Sequence, residues 1–385
     1  MSNVWPLFSV VIIDLIGFGI IMPILPFYAV QFGASATTLG MILMSYAGMQ
    51  FLFAPIWGRV SDRYGRKTVI LATLLGSTFA QLLLGLAPTL VFVFIGRLLG
   101  GLFAANISVA SAYVTDVTTE KDRAKGMGLI GAAFGIGFIL GPAIGGILST
   151  YGYHVPILFS AMLTAANLIF ATVRLRKPKR HHPVNGIPRT SVLRNRTVLK
   201  FCLVYLIFTI AVSQLESVFA LFMLDRFAYD AREVAYILVM MAVIMVAIQG
   251  GFMRRATHFF SEEQLFLAGV LILSLCFFGI PVMGRVSFLL IPLGVASMGR
   301  GISQPSLMSL VSKQSSPHQR GAVMGTFQSF ASLGRIIGPV VAGILYDYRQ
   351  GFPFYLAALL LLGVFVIQAF RSSPQRGKSG GPGDR

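Results

Sequence analysis

Long runs of apolar residues, separated by short polar breaks, follow one another along almost the whole 385-residue chain. A helix needs about 20 apolar residues to cross the hydrocarbon core of a bilayer, and these runs reach that length. Lipid gives the backbone no hydrogen-bonding partner, so a spanning segment must be a helix or belong to a closed barrel. Barrel strands would alternate apolar and polar positions, and these runs do not. The pattern predicts twelve transmembrane helices, at roughly residues 5–30, 38–57, 68–87, 90–114, 125–149, 154–173, 200–224, 232–253, 264–283, 286–311, 321–345 and 352–370.

The polar breaks are short, with one exception at residues 174–199, a basic stretch with three prolines and no helical apolar period. A segment of this composition is typical of a linker. We therefore predict an N-terminal six-helix bundle over residues 1–173 and a cytoplasmic basic linker over 174–199. A C-terminal six-helix bundle would cover 200–371, and a disordered cytoplasmic tail would cover 372–385.

An internal repeat supports this division. The stretch "RAKGMGLIGAAFGIGFILGPAIGGILSTY" at 123–151 matches "RGAVMGTFQSFASLGRIIGPVVAGILYDY" at 320–348 at a constant offset of 197 residues. The fifth and eleventh spans are therefore equivalent. Two related halves are typical of secondary transporters, and the expected fold is an all-α membrane protein of two pseudo-symmetric six-helix bundles.

Composition agrees with this class, since 56% of the residues are hydrophobic and only 11% are charged. Soluble proteins carry about 25% charged residues. Cys202 and Cys276 lie inside apolar runs and predict neither a disulfide framework nor a redox site. His181 and His182 lie in the linker with no other ligand type near them, so no metal site is expected.

The net charge of +18 reflects topology. If the N-terminus is inside, 24 of the 31 Lys and Arg residues fall in inner loops, the linker region and the tail, and four fall in outer loops. Cytoplasmic loops of membrane proteins carry such an excess. We expect a multi-pass protein of the inner (plasma) membrane with both termini cytoplasmic, and no binding of nucleic acid.

The break between the second and third spans, "GRVSDRYGRK" at 58–67, is unusually polar. Ser61, Asp62 and Gly65 predict a β-turn, and Asp62 would cap the third span or pair with Arg63 or Arg66. A basic loop that only sets topology would also explain its charge. The pattern resembles the signature loop of the major facilitator superfamily, whose motif positions here are Gly58, Asp62, Arg63, Gly65 and Arg66.

Other stretches extend this resemblance. "GAAFGIGFILGPAIGG" at 131–146 resembles the glycine-rich motif of the antiporter branch, with small residues that let helices approach closely. Ordinary helix packing is the alternative explanation. "GRLLGG" at 96–101 resembles the arginine motif of the fourth helix, and "LIGFGIIMPILP" at 15–26 is similar to the first helix of twelve-helix drug:proton antiporters. The motif residues of the fifth span are Gly135, Gly141, Pro142, Gly145 and Gly146, together with Gly131 and Gly137.

Ionisable residues inside a bilayer are costly and by default point to function. Asp14 lies about 14 Å into the first span at 1.5 Å per residue, and Glu216 lies in the equivalent seventh span, nearer the outer face. Either carboxyl could exchange a proton for a cationic substrate, or could be a structural acid paired with an arginine. Arg97 cannot lose its proton and needs a carboxylate, a carbonyl or water; the resemblance makes it a partner of the proton site.

Further cavity candidates are the polar side chains within other spans: Gln81, Gln214, Arg300 and Arg335. The two arginines could stabilise the cavity or contact an anionic group of a substrate. Tetracycline pumps carry additional acids in the third and ninth helices, where this chain has Gln81 and no acid. The resemblance therefore does not extend to tetracycline as the substrate.

Several charged residues cluster at the inner end of the fourth span: Asp116, Glu120, Asp122 and Arg123. They predict a local salt-bridge latch, and a solvated loop is the alternative.

Taken together, these features predict a proton-coupled exporter of amphipathic drugs, working by alternating access as a monomer. The alternative is a uniporter or proton symporter for an endogenous metabolite, sugar or organic anion. A membrane receptor would need a larger loop domain. No nucleophile–base arrangement and no phosphate-binding loop is present, so the chain is not expected to be an enzyme or to need a cofactor. Its partners would be a small-molecule substrate, protons and the lipid bilayer.

Overall fold

The computed structural model describes residues 4–118, 120–176, 195–313 and 320–372. Within these residues it contains twelve segments that are long and apolar enough to cross a membrane, which confirms the predicted all-α architecture. The helices are α1 Val4–Gln31, α2 Ala36–Tyr64, α3 Arg66–Gly85, α4 Leu90–Phe103, α5 Asn106–Val117, α6 Glu120–Ser149, α7 His154–Arg174, α8 Arg196–Phe227, α9 Ala231–Ala247, α10 Met253–Phe259, α11 Glu262–Gly279, α12 Val286–Lys313, α13 Arg320–Tyr348 and α14 Phe352–Ser372.

Two spans are interrupted where the apolar pattern alone predicts continuous helices. The fourth span consists of α4 and α5, which are separated at Ala104–Ala105. The eighth consists of α9 and α10, joined by a π-helical turn over Ile248–Phe252 that contains two glycines. Glycine weakens helix continuity, and π-helical turns are a recognised cause of bends in helices. The apolar pattern predicted the number and position of the spans, but it did not predict these interruptions.

The linker and tail fall largely outside the described residues. Residues 177–194, which include His181 and His182, and residues 373–385 are not described, so the predicted linker and tail stay predictions. Cys202 and Cys276 are both buried as free thiols.

The chain forms two compact units. The first is drawn from the ranges Met1–Pro188, Ser213–Val243 and Ser332–Pro353, and the second from Arg189–Val212, Ile244–Ala331 and Phe354–Arg385. The first unit thus combines the N-terminal spans with parts of α8, α9 and α13. All candidate site residues except Arg300 lie in this first unit.

Within the first unit, Asp347 of α13 caps the amino end of α2. The backbone N–H groups of Ala36 and Thr37 donate to the two carboxylate oxygens of Asp347, at 3.0 and 2.9 Å. The Ser35 hydroxyl accepts from the N–H of Thr38 at 3.2 Å. The first N–H groups of a helix have no partner inside it, so these three bonds satisfy donors that would otherwise be unpaired.

The same two helices approach closely through glycine. A Cβ atom at Gly40 would lie 2.3 Å from the carbonyl oxygen of Pro339, and one at Gly343 would lie 2.3 Å from that of Ala36. No larger residue fits at such distances. α2 and α13 therefore meet backbone to backbone here.

α6 and α9 meet in the same unit. A Cβ atom at Gly146 would lie 2.5 Å from the Cβ of Ala235. Just beyond α6, the Tyr153 hydroxyl donates to the Asp230 carboxylate at 2.6 Å. Burial and the neighbouring Asp230 raise the pKa of the Tyr153 phenol, which keeps this group protonated as the donor.

In the second unit, the Lys313 ammonium at the end of α12 pairs with the Glu262 carboxylate at the start of α11. The rings of Tyr205 and Phe327 stack with centroids 3.9 Å apart and planes 5° apart, which joins α8 to α13. In this unit an ion pair thus joins α11 to α12, and an aromatic stack joins α8 to α13.

Candidate functional site

Asp14 lies half-buried in α1 and is held by a neutral side chain. The Asn106 amide Nδ2 donates to its Oδ1 at 3.0 Å. Asn106 in turn accepts a hydrogen bond from the Thr73 hydroxyl through its Oδ1. Both Asn106 and Thr73 are buried. A series of hydrogen bonds therefore connects Thr73 in α3, through Asn106 at the start of α5, to the Asp14 carboxylate in α1.

Arg97 is buried in α4, and its guanidinium lies over the Tyr46 ring, 4.1 Å from the ring centroid. Its Nε has no hydrogen-bond partner, and none of the described carboxylates lies within ion-pairing distance of it. The Tyr46 ring packs against that of Phe18, one helical turn after Asp14, with centroids 5.8 Å apart. The contact described for Arg97 is thus a cation–π contact with Tyr46, and its association with a proton site stays a prediction.

The glycines of the arginine motif explain why α2 comes so close. A Cβ atom at Gly101 would lie 2.3 Å from the Tyr46 carbonyl oxygen, and one at Gly100 would lie 3.4 Å from the Tyr46 ring. On the other face of α4, a Cβ atom at Gly96 would lie 3.0 Å from the Cβ of Leu84 in α3. The motif therefore fixes Arg97 between two neighbouring helices.

The break between α4 and α5 lies between Arg97 and Asn106, and α2 supports it. The Trp57 indole N–H donates to the carbonyl of Leu102 at 2.7 Å, and the Gln50 amide donates to that of Ala104 at 3.1 Å. Buried carbonyls without partners are costly, so these two side chains stabilise the interruption.

Gln81 belongs to a separate polar group between α3 and α7. Its Oε1 accepts from the hydroxyls of Ser160 at 3.2 Å and Thr164 at 3.0 Å. Ser160 also bonds to the carbonyl of Gly17 in α1 at 2.9 Å. Gln81 thus ties three helices of the N-terminal half together.

The remaining predicted cavity residues lie in α8, α12 and α13. Gln214 is fully buried, and its amide donates to the carbonyl of Gly338 at 3.4 Å. Glu216 is half-buried in α8, Arg300 is half-buried in α12, and Arg335 is exposed and donates to Ser332 at 3.1 Å. The contacts described for Gln214 and Arg335 are both with residues of α13.

The polar segment 58–67 is organised by Arg66, the first residue of α3. The guanidinium contacts Asp62 at 2.5 Å, Ser61 at 2.5 Å and Asp116, at the carboxyl end of α5, at 2.9 Å. Its side chain is only 17% exposed, and that of Asp116 is 19% exposed, so both are shielded from solvent. One arginine thus joins α2, α3 and α5.

Two details of this segment differ from the prediction. The β-turn is wrong, because α2 continues to Tyr64 and Gly65 alone makes the turn, with φ of +98°. A positive φ is accessible to glycine without strain. Asp62 does not cap α3. Lys67 anchors the start of α3 further, donating to the carbonyl of Thr172 in α7 at 2.6 Å.

The predicted latch at the end of the fourth span is described only in part. Asp116 bonds to Arg66 across the bundle rather than within its own cluster. Asp122 pairs with Lys125 at 3.8 Å, with both side chains largely exposed. The side chains of Glu120 and Arg123 lie outside the described residues.

The glycines of the fifth span pack α6 against α1. A Cβ atom added to Gly137 would lie 2.6 Å from the Cβ of Leu15. One added to Gly141 would lie 2.6 Å from the Cα of Gly19, and one added to Gly145 would lie 2.6 Å from the carbonyl oxygen of Ile20. Gly131 has nothing within 4 Å. Part of the motif is therefore a close helix contact, next to the turn of α1 that carries Asp14, and Pro142 lies inside α6 at this contact.

Three residues of this group were not predicted from the sequence: Thr73, Asn106 and Tyr46. Asn106 carries a signal that could have found it, since it is an amide inside the apolar run "FAANISVA". Thr73 and Tyr46 have no such signal, because threonine and tyrosine are ordinary residues of membrane helices.

Comparisons with known proteins agree with this architecture. The chain is 31% identical to multidrug resistance protein 1 of Bacillus subtilis (strain 168), with 94% of each chain aligned. It is 28% identical to the class H tetracycline resistance protein of Pasteurella multocida, again over 94% of each chain. The crystal structure of the human organic anion transporter TETRAN superposes with a TM-score of 0.73 at 25% identity, covering 95% of this chain and 99% of that one.

The sequence profile of the Major Facilitator Superfamily matches residues 7–286 and 255–384, which together include nearly the whole chain. Both relatives named above are drug-resistance proteins, and the superposed structure is that of a transporter. The chain is therefore a multi-pass membrane transporter that belongs to the Major Facilitator Superfamily, with tetracycline and multidrug resistance proteins among its relatives.

Proposed function

We propose that this protein is a proton-coupled exporter of amphipathic drugs that works by alternating access as a monomer. It would lie in the inner (plasma) membrane with both termini in the cytoplasm, as the distribution of Lys and Arg indicates.

The environment of Asp14 carries this proposal. Its carboxylate lies within the first span, accepts a hydrogen bond from the neutral Asn106 amide, and has no ion-pair partner among the described residues. A carboxylate within a membrane span and without a permanent counter-ion is stable only if it binds a proton or a mobile cation. Competition between these two occupants for one site would couple proton entry to export of a cationic drug.

Arg97 and Glu216 have supporting roles. The Arg97 guanidinium lies over the Tyr46 ring, and this ring packs against Phe18, one helical turn after Asp14. Arg97 would therefore lower the cost of a negative charge on Asp14. Glu216, in the equivalent span of the second half, would be a second proton or substrate site.

The polar network at Arg66 and the close contact of α2 with α13 fit alternating access. With the expected orientation, Arg66 lies at the inner side and the Asp347 cap on α2 lies at the outer side. The outer contact consists of two hydrogen bonds and backbone approaches at glycine. Such a contact can separate without repacking large side chains, as each transport cycle would require.

The substrate is proposed to be an amphipathic cation other than tetracycline. Relatives named for tetracycline resistance support export of a drug, but the third span has Gln81 in place of an acid. Its Oε1 is occupied by Ser160 and Thr164. This span thus offers no carboxylate for a metal-chelated or cationic substrate.

One observation favours a second candidate, transport of an organic anion. Arg97 is a buried cation whose Nε has no hydrogen-bond partner, and a buried guanidinium suits recognition of a carboxylate. The superposed human protein is named an organic anion transporter. In this alternative, Arg97 would bind the substrate and Asp14 would remain the proton site.

The test is transport by purified protein in liposomes with an imposed pH gradient. We compare a lipophilic fluorescent cation, such as ethidium, with a fluorescent organic anion, in the wild type and in Asp14→Asn and Glu216→Gln. Asp122→Asn, in an exposed ion pair, is the control. Gradient-driven accumulation of the cation that is lost in Asp14→Asn supports the proposal. Accumulation of the anion, lost in Arg97→Gln, supports the alternative, and normal proton exchange in both acid variants overturns the coupling assignment.

A further inference from the structure

The chain of hydrogen bonds that ends at Asp14 has a second satisfactory arrangement. In the structure, the Thr73 hydroxyl donates to Asn106 Oδ1, and Asn106 Nδ2 donates to Asp14. An ionised carboxylate only accepts hydrogen bonds, so this orientation of the amide suits ionised Asp14.

When Asp14 binds a proton, its O–H becomes a donor. The Asn106 amide can then turn over, so that its Oδ1 accepts from Asp14 and its Nδ2 donates to the Thr73 oxygen. The displaced Thr73 proton has partners within reach, because its hydroxyl lies 2.8 Å from the carbonyl of Val69 and 3.0 Å from that of Ile70. In this second arrangement the new O–H, the amide and the hydroxyl each have a partner, whereas the first orientation of the amide offers the new O–H no acceptor within this series of hydrogen bonds.

Asn106 occupies the place in the fold where such a change would be transmitted. It is the first residue of α5, directly after the interruption of the fourth span. Trp57 and Gln50 hold the carbonyls on the other side of the interruption. A change in the orientation of Asn106 would thus act on the least regular point of a span that also carries Arg97.

The charged and titratable groups around Asp14 come from two neighbouring helices. These groups are Tyr46 in α2, which packs against Phe18 one helical turn after Asp14, and Arg97 in α4, which lies over the Tyr46 ring. The contacts from α3 and α5 are the uncharged Thr73 and Asn106. The helices α6 and α7, which also pack against α1, present glycines and uncharged polar side chains to it. Asn106 is therefore the direct donor to the carboxylate, and the arginine acts from further away.

We propose that Asn106 is a positioning residue that sets the proton affinity of Asp14 and reports its protonation state to the break in the fourth span. This inference rests on the proposed function for its role in transport. Its effect on the carboxyl does not depend on which substrate is carried.

The first test is the pH dependence of gradient-driven ethidium transport. Asn106→Ala removes the donor to the ionised form, so protonation becomes easier and the pH midpoint should rise by about one unit, as expected for loss of a charge-assisted hydrogen bond. Thr73→Val, which keeps the shape but removes the hydroxyl, should raise the midpoint less. Because both act through one amide, the double variant should match Asn106→Ala alone.

Asn167→Ala is the matched control. Asn167 is also a fully buried amide that bonds to α1, through the carbonyl of Val10 at 2.9 Å, one turn of helix before Asp14. It should lower the amount of folded protein without moving the pH midpoint. An unchanged midpoint in Asn106→Ala, or an equal change in Asn167→Ala, overturns the proposal.

A second measurement does not require transport. The infrared C=O stretch of protonated Asp14, identified as the band missing in Asp14→Asn, should titrate at higher pH in Asn106→Ala than in the wild type. A shifted titration without proton-driven transport would overturn the proposed function and leave the role of Asn106 standing. An unshifted titration would overturn the role of Asn106, whatever the transport assay shows.

Discussion

Asp116 and Lys313 lie 197 residues apart, the same offset as the internal repeat that begins seven residues after each of them, and they carry opposite charges. Asp116 at the end of α5 pairs with Arg66 at the start of α3, while Lys313 at the end of α12 pairs with Glu262 at the start of α11. Each half therefore joins its third and fourth spans at the same corner by an ion pair, with the charges exchanged. The ion pair is thus present in both halves, although the residues that form it differ.

This relationship predicts that the first pair can be inverted. Asp116→Lys places two cations together at a shielded corner and should lower the free energy of unfolding by about 1.5–3 kcal/mol, the range for a hydrogen bond to a charged group. Adding Arg66→Glu should restore part of the loss, since the pair then resembles that of the other half. Asp62 would repel a carboxylate at position 66 and keep the recovery incomplete. Thermal unfolding in detergent measures both effects.

The control for this experiment is Asp122→Asn, which breaks a largely exposed pair with Lys125. Exposed pairs contribute about 0–1 kcal/mol, so this variant should unfold close to the wild type. A double variant no more stable than Asp116→Lys alone would show that Arg66 and Asp116 are not coupled.

The contact between α1 and α6 predicts opposite effects for two glycines of one motif. Gly141→Ala places a methyl 2.6 Å from the Gly19 Cα and should cost about 1–3 kcal/mol through overpacking. Gly131→Ala adds its methyl to open space and should gain about 0.5–1 kcal/mol from helix propensity. Melting temperatures in detergent, with drug transport measured in parallel, distinguish the two. Equal loss in both variants would contradict the packing explanation.

The contact between α2 and α13 predicts a similar contrast along α2. Gly40→Ala brings a methyl to within 2.3 Å of the Pro339 carbonyl oxygen and should separate the two helices, whereas Gly48 has nothing within 4 Å. Thermal unfolding in detergent should occur at a lower temperature in Gly40→Ala, because overpacking costs about 1–3 kcal/mol, and at about the wild-type temperature in Gly48→Ala. Unfolding of Gly40→Ala at the wild-type temperature would mean that the helices do not meet at this point in solution.

The Asp347 cap predicts a local change in hydrogen exchange. Asp347→Ala leaves the N–H groups of Ala36 and Thr37 without acceptors, which costs about 1–2 kcal/mol, as for other lost helix caps. Exchange of the first α2 amides should become about five- to thirty-fold faster, because a tenfold change corresponds to about 1.4 kcal/mol. Mass spectrometry of the peptide covering 34–44 measures this rate. Ser35→Ala, which removes the cap of Thr38 alone, should have a smaller effect, and protection equal to the wild type in Asp347→Ala would contradict the cap.

The spans were predictable because the bilayer imposes a physical length and an apolar composition on each of them. Asp14 and Arg97 could be singled out as candidates because charged residues inside a membrane span are rare. The pairing of Arg66 with Asp62 was predictable, because the two residues are four positions apart. Its pairing with Asp116 was not, because Asp116 is fifty residues away along the chain. The turn at Gly65 was misjudged because Ser61 and Asp62 are common turn residues, while their contacts with Arg66 keep them helical.

The break in the fourth span was equally hidden from the sequence. The residues "GLFAANIS" contain no proline, and the interruption depends on donors from α2 that lie about fifty residues earlier. When side chains of a neighbouring helix donate to the free carbonyls of an interrupted helix, the sequence of the interrupted helix gives no sign of the interruption. Asn106 shows the consequence, since its importance follows from the break and not from its residue type.

The indole of Trp57 donates to the Leu102 carbonyl at this break, and the chain has only one other tryptophan, the exposed Trp5. Replacing Trp5 with phenylalanine would leave a single indole, placed by the fold itself beside the interruption of the fourth span. Its emission would then follow any rearrangement at that point in real time, with no dye attached and no further residue changed.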